Sequence, residues 1–426
     1  MADNTITPIT HGMRLVWSAL ILVSTVTQAA TDKEELKATR QEVQQLKHVV
    51  RDLVGEVDKL KDQRNVNQES PREPARTPKD KLTLGGYGDV HANFTQGSDS
   101  DKIDFHRLVL YLGYEFADWI VFHSETELEH AWTDDGYLLI EQAYVDFLLS
   151  GSANVRAGRV LAPVGIINKR HEPTLFNGVE RPNFSKYIIP TTWSLDGVGV
   201  FGSLAPSLHY EAYVVAGLDG DSFSSSGIRG GRLKGRQSLN DVAVTGRLDY
   251  FPWETALAQD NQSLRLGISG FCGGLDNMAG GGGNNKGGDI ALASADFEYS
   301  VCRFDFRGVV AHTRIDGAQD FGGGVANAMF GWYLEGAYHC WPNQWKTGKL
   351  AKSDATTFVR YEEYDTQYDM PSGIAKDQSK DIDEISVGVN FYPVPNFVVK
   401  VDYQIRDNAT GNGMSDLFNI GTGWTF

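Results

Sequence analysis

The chain ends D-L-F-N-I-G-T-G-W-T-F, residues 416–426. Phe418, Ile420, Trp424 and Phe426 occupy alternate positions, with Thr422 the one interruption. Leu417, Asn419, Gly421, Gly423 and Thr425 fill the places between. A period of two marks a strand whose two faces meet different surroundings. An apolar strand ending on an aromatic residue fits a chain whose apolar face meets lipid. It must then belong to a closed barrel, because an open edge in hydrocarbon leaves backbone N–H and C=O groups unpaired.

The same period recurs upstream to Leu82. It predicts sixteen strands, at 82–94, 103–116, 119–131, 137–149, 153–161, 197–204, 208–217, 240–251, 263–272, 289–300, 303–315, 330–341, 356–367, 382–393, 397–407 and 416–426. Their connections mostly alternate between short (117–118, 150–152, 205–207, 301–302, 394–396) and long (95–102, 162–196, 218–239, 273–288, 368–381). The connections near Trp253 and Pro342 are longer than the other short ones. An even strand number with short periplasmic turns and long outer loops is the pattern of an outer-membrane barrel. The expected fold is all-β, a 16-stranded antiparallel transmembrane β-barrel over 82–426, preceded by an α-helical coiled coil.

The faces support this. Leu108, Leu110, Leu112, Tyr114 and Phe116 alternate with Arg107, Val109 and Tyr111, while Ile120, Phe122 and Leu128 alternate with His123, Glu125, Glu127 and Glu129. Phe304, Phe306 and Val310 stand opposite Arg303, Asp305 and Arg307. Phe397, Val399, Val401, Tyr403 and Ile405 stand opposite Lys400, Asp402, Gln404 and Arg406. A barrel this wide encloses water, so the charged face should line its lumen. Arg107, Glu125, Glu127, Glu129, Arg247, Arg303, Arg307 and Arg360 are its expected wall. Trp119, Trp132, Trp193, Tyr137, Tyr250, Trp253, Tyr392 and Trp424 fall near strand ends, as interfacial girdles require.

The 426 residues include 46 glycines, and 11% are aromatic. No apolar run past the N-terminus reaches the length of a membrane helix. Met13-Arg14, the apolar run 15–26 and T-Q-A-A at 27–30 read as a signal peptide over 1–30, with Met13 an alternative start. Leu36, Thr39, Val43, Leu46, Val50, Leu53, Val57 and Leu60 form a heptad seam, so 31–62 is expected to be a periplasmic coiled coil. Residues 63–81 hold three prolines and read as a linker. Acidic and basic residues balance through residue 80, so the net charge of −16 belongs to the barrel. That excludes nucleic acid as a partner. An acidic exterior suits cation-bridged contact with lipopolysaccharide. Among three cysteines without a C-x-x-C motif, Cys302 and Cys340 fall near neighbouring strand ends and are expected to pair.

The gap 162–196 contains A-P-V-G-I-I-N-K-R-H-E-P-T-L-F-N-G-V-E-R-P-N-F-S-K-Y-I-I-P-T-T-W. It is too long and apolar for a solvated loop. Folded inward, it would narrow the pore, with Lys169, Arg170, His171, Glu172, Glu180, Arg181 and Lys186 setting the field there. A loop capping the outside is the alternative.

Several stretches resemble the porin family typified by the phosphate-selective porins O and P. They are E-Q-A-Y-V-D-F (141–147), G-R-V-L-A-P-V-G (158–165), R-H-E-P (170–173), I-P-T-T-W-S-L-D-G-V-G (189–199), F-V-V-K-V-D-Y-Q (397–404) and the terminal G-W-T-F. The resemblance implies an outer-membrane homotrimer with its third outer loop inside, and a terminal Phe426 read by the barrel-assembly machinery. Phosphate selectivity does not carry over, because the arginines are interleaved with Glu125, Glu127, Glu129, Asp305 and Glu362. The tetraglycine 280–283 lacks the G-K-S/T of a phosphate loop, and His171-Glu172 lacks the second histidine of a zinc protease. Asp99-Ser100-Asp101 reads as a solvated turn. No catalytic constellation, cofactor or metal site is expected. The expected function is passive diffusion of small hydrophilic solutes or ions, anions such as phosphate among them. The alternative is an anchor barrel whose coiled coil ties the membrane to peptidoglycan.

Overall fold

The structure, a computed structural model, describes residues 81–130, 137–233, 235–252, 262–278 and 280–426. The signal peptide, the coiled coil and, save Lys81, the linker lie outside them, as do Trp132 and Trp253. Sixteen strands follow one another: β1 (Leu82–Thr95), β2 (Lys102–Ala117), β3 (Ile120–Glu129), β4 (Tyr137–Phe147), β5 (Asn154–Leu161), β6 (Ser194–Ala205), β7 (Leu208–Ala216) and β8 (Val242–Tyr250). Then come β9 (Gln262–Gly274), β10 (Asp289–Val301), β11 (Phe304–Asp316), β12 (Ala328–His339), β13 (Asp354–Asp369), β14 (Asp381–Val394), β15 (Phe397–Asn408) and β16 (Leu417–Thr425). Each pairs antiparallel with the next, and β16 returns to β1 to close the barrel. No helix among the described residues is long and apolar enough to cross a membrane. All sixteen expected strands form, with ends displaced by a few residues. The connections that follow odd-numbered strands lie at one end of the barrel and those that follow even-numbered strands at the other, and the latter are short except after β8 and β12.

The terminal strand forms the closing seam. Phe418 lies opposite Phe94 in register, with ring centroids 5.9 Å apart. Phe426 donates its N–H to Gly86 O at 2.9 Å and accepts from Gly86 N at 3.0 Å, so the ladder runs to the last residue. A Cβ at Gly86 would lie 2.3 Å from Val109 O and 2.9 Å from the Phe426 ring, so this seam leaves no room for a side chain there.

The apolar face points outward. Leu110, Ile268, Val359 and Val401 are exposed, whereas Arg360, Glu362, Asp402 and Asn419 on the opposite face are buried. Hydrocarbon surroundings require such an exposed band; water would penalise it.

Two of the bulges in the barrel re-aim side chains at its interior. Asp89 pairs with Arg107 and Val90 with Phe105, leaving His106 unpaired in β2. Glu125 pairs with Gln142 and Thr126 with Ile140, leaving Glu141 unpaired in β4. An extra residue shifts the phase of a strand and re-aims its side chains. Here His106 and Arg107 both turn inward, as do Glu141 and Gln142.

Three expectations need correction. Trp119 and Tyr250 are exposed at strand ends, but Trp193 is fully buried against Phe271, 4.6 Å between centroids. Tyr392 also turns inward, its hydroxyl 3.5 Å from Thr174 O. Cys302 and Cys340 are not bridged; all three thiols are free. The Cys340 thiol donates to Ala355 O at 3.3 Å, on the side of β13, away from the β10–β11 turn that carries Cys302.

Val401→Arg, in the middle of β15, places a charge on the outward face. In lipid vesicles it should lower the unfolding free energy by about 2–4 kcal/mol. An unchanged urea midpoint would mean that this face does not meet hydrocarbon.

Candidate functional site

The segment between β5 and β6, residues 162–193, enters the barrel. Asn168 ties its two ends, donating to Ala162 O at 2.5 Å and accepting from Trp193 N at 2.8 Å. Val164, Ile166, Phe184, Ile188, Ile189 and Trp193 are buried in one cluster with Tyr213, Phe271, Leu292 and Tyr333 of the wall. This apolar content is why the segment folds in rather than capping the mouth. In water those side chains would be exposed; against the wall each gains on the order of 1.5–3 kcal/mol.

The tip is held by charges of the wall. Gly178, at φ 82°, turns the chain between Asn177 and Val179. Val179 N donates to Asp402 Oδ2 at 2.6 Å, and Phe184 N to Glu362 Oε2 at 2.8 Å. Lys400 Nζ donates to Phe176 O and Gly178 O, each at 2.8 Å, and Arg360 donates to Asn177 O at 3.2 Å. Asn183 donates to Glu384 at 2.7 Å.

The expected wall residues therefore do not simply face open water. Arg360, 1% exposed, lies between Glu362 at 2.8 Å and Glu335 at 3.2 Å. Arg247 meets Asp296 at 2.7 Å and Asp249 at 2.8 Å, and donates to Gly165 O. Arg307 pairs with Glu335 at 3.2 Å and reaches Leu175 O. Arg107 lies 3.1 Å from Asp89 and 3.6 Å from Glu127. Arg303 leaves the wall altogether: it donates to His339 O and Trp341 O, clipping the short-turn end. Removing either partner of such a buried pair leaves an uncompensated charge, at a cost of about 3–5 kcal/mol.

The loop residues divide into three settings. Lys169 and Arg170 reach across to Glu211 of β7 and Glu298 of β10. His171 is buried; its Nδ1 contacts Asn168 O at 3.0 Å, and its Nε2 lies 3.4 Å from Glu141 and 3.5 Å from Glu125. Glu172 accepts from Tyr111 at 3.3 Å. Burial by itself pulls the His171 imidazolium down, but the facing carboxylates of Glu141 and Glu125 outweigh it and raise the group to about 10. Glu180 accepts from Asn93 at 3.1 Å and lies 3.4 Å from His91, and Arg181 donates to His171 O at 2.9 Å. Lys186 is exposed beside Tyr187, 5.4 Å from its ring centroid.

Two cavities flank this loop. One of about 370 Å³, toward the short-turn end, is lined by Tyr111, Glu115, His123, Glu125, Lys169 and Glu172. The other, of about 720 Å³, opens toward the long-loop end. Among the described residues its lining carries eight basic side chains, Lys102, Arg107, Arg159, Arg181, Lys186, Arg229, Arg232 and Arg406, against the acids Asp89, Glu129 and Glu180. The seven loop residues of the sequence analysis are thus shared between the two cavities and the packed seam between them. Sequence reading missed Glu141 and His106, brought inward by the bulges, and Arg229 and Arg232. The latter two belong to the β7–β8 connection and donate to Thr191 O.

Solved structures share the architecture. The loop L8 deletion mutant of OmpT, an outer membrane protein of Vibrio cholerae, superposes with a TM-score of 0.52 at 11% identity, covering 81% of this chain and 99% of that one. The outer membrane channel DcaP of Acinetobacter baumannii gives 0.50 at 14%, covering 81% and 97%. Salmonella typhi OmpF, in complex with daunomycin, gives 0.50 at 13%, with the same coverage. The fold is that of a sixteen-stranded barrel of the outer-membrane porin type. No family model matches the chain. An uncharacterized protein of Aquifex aeolicus (strain VF5) is 31% identical over 367 residues, 81% of this chain and 80% of that protein. The chain belongs to one family with it.

A histidine whose folded value is raised stabilises the fold fully below its unfolded value of 6.5, and that contribution is lost as pH rises through about 10. The urea midpoint in vesicles should therefore fall between those pH values. His171→Gln should flatten the slope; an equal slope in the variant would remove His171 as its source.

Proposed function

We propose that the protein is an outer-membrane porin through which small hydrophilic solutes diffuse passively, with anions favoured at the mouth formed by the long loops. The observation that carries this reading is the 720 Å³ cavity, where eight basic side chains face three acidic ones. A basic vestibule with low-dielectric walls concentrates anions before they reach the narrow zone at the loop. The short-turn cavity lacks that bias, holding Lys169 and His171 against Glu115, Glu125 and Glu172. The field of that lining would act on small inorganic anions, phosphate among them, through charge and not through a shaped phosphate site. The long loops would face the exterior and the short turns the periplasm, by the usual sorting of loop lengths.

Planar bilayers test this. Purified protein should give stable stepwise conductance, and the reversal potential across a potassium chloride gradient should lie on the anion side. Lys102→Gln with Lys186→Gln should move it toward cations, since neither change breaks an ion pair that holds the loop. A protein that never conducts would reject the channel, and an unchanged potential would reject the vestibule as its filter.

The homotrimer is part of the same proposal, supported by the sequence resemblance. Light scattering on detergent-purified protein should give three chains per particle. One chain per particle would reject the trimer.

A further inference from the structure

Three histidines from three successive strands converge inside the barrel near its long-loop end. His91 belongs to β1 and His106 to β2, and His130 follows β3 directly. The rings of His91 and His106 lie 4.7 Å apart between centroids, and those of His106 and His130 lie 5.0 Å apart. Asp104 stands among them. One of its carboxylate oxygens lies 3.0 Å from His106 Nδ1, 2.9 Å from His130 Nδ1 and 3.7 Å from His91 Nε2. Glu129 reaches His106 Nε2 at 3.9 Å, and Glu180 of the inserted loop reaches His91 Nε2 at 3.4 Å.

We propose that His91 and His106 with Asp104 form a binding site for a divalent transition-metal ion of the zinc class. Imidazole nitrogens with one carboxylate oxygen are the donors such an ion takes in tetrahedral geometry. Ligands about 2.0–2.1 Å from the ion stand about 3.3 Å from one another. Donor atoms of His91, Asp104 and His106 lie within 4.8 Å of one another, so side-chain rotations bring these three onto one ion, with water as the fourth ligand.

Two further observations point the same way. His91 is 3% exposed, and its Nδ1 makes no hydrogen bond. A buried ring held this way lacks the partner that its position demands. Asp89 lies 3.9 Å from that nitrogen, where a small movement would make it the carboxylate that orients a metal-bound imidazole. The second observation is the bulge in β2. Without the extra residue, Asp104, His106 and Arg107 could not all face inward. The basic residues of the same cavity disfavour hard cations held by charge alone, and the nitrogen donors favour a softer ion in their place.

The test uses tag-free, folded protein in detergent, so that no polyhistidine competes and conduction is not required. Titrated Co²⁺ should produce the visible absorption of tetrahedral cobalt at one ion per chain. Zn²⁺ should displace it with micromolar or tighter affinity, and Mg²⁺ should not. His91→Ala and His106→Ala should each weaken Zn²⁺ binding by more than the roughly 100-fold upper range of a change behind the ligands. Asp104→Asn, which keeps the side chain's shape, should weaken it as well. Absence of the cobalt band in the wild type overturns the site, as does undiminished Zn²⁺ binding in Asp104→Asn and in a correctly folded His91→Ala. A barrel that binds zinc without conducting would leave the site standing and reject the porin reading instead.

Discussion

The seam between β16 and β1 is the constraint on which the rest depends. Fifteen antiparallel pairings leave two open strand edges, and in hydrocarbon each open edge is a row of unpaired donors and acceptors. The reciprocal bonds between Gly86 and Phe426 carry the pairing to the end of the chain. With the ring closed, every strand has two neighbours and one inward face. Charges that no bilayer would admit can then occupy that face. The alternation of Phe418, Ile420 and Trp424 with Asn419, Gly421 and Gly423 is the local form of that division.

A closed ring of sixteen strands is wider than its own side chains can fill. The inserted loop occupies part of that space by two kinds of contact. Its apolar flank packs on Tyr213, Phe271 and Tyr333, and its backbone is satisfied by carboxylates and cations of β13 to β15. The second kind explains how Glu362, Asp402 and Lys400 are buried without cost out of proportion. Each gives hydrogen bonds to, or takes them from, a loop that would otherwise leave its peptide groups unpaired. Charge on this wall therefore serves two ends. Toward β13–β15 it holds the loop, and toward β1–β3 it leaves a basic cavity with histidines at its edge.

Much of this was legible in the chain. Strand number, loop-length sorting and the outward face follow from a period of two, which local sterics and burial impose on every strand. The inward course of residues 162–193 was legible from their length and apolarity. The bulge in β2 was also written there, though unread. Ile103 and Phe105 lie in one phase and Leu108, Leu110 and Leu112 in the other, so the outward stripe slips by one residue at His106. The arginine pairings were not legible. Arg360 with Glu335 joins positions on different strands, and Arg247 with Asp296 skips a whole strand between them.

By itself, then, the sequence determined the barrel, its closing strand and which segment turns inward, because each of these depends on near neighbours along the chain. The tertiary structure alone decided that Arg303 clips a turn, that Trp193 and Tyr392 leave the membrane interface, and that Cys302 and Cys340 stay apart. It alone decided that three histidines far from one another in type of neighbour, at 91, 106 and 130, share one carboxylate. Those outcomes depend on strand register and on where a loop comes to rest, and both are fixed only when the ring has closed.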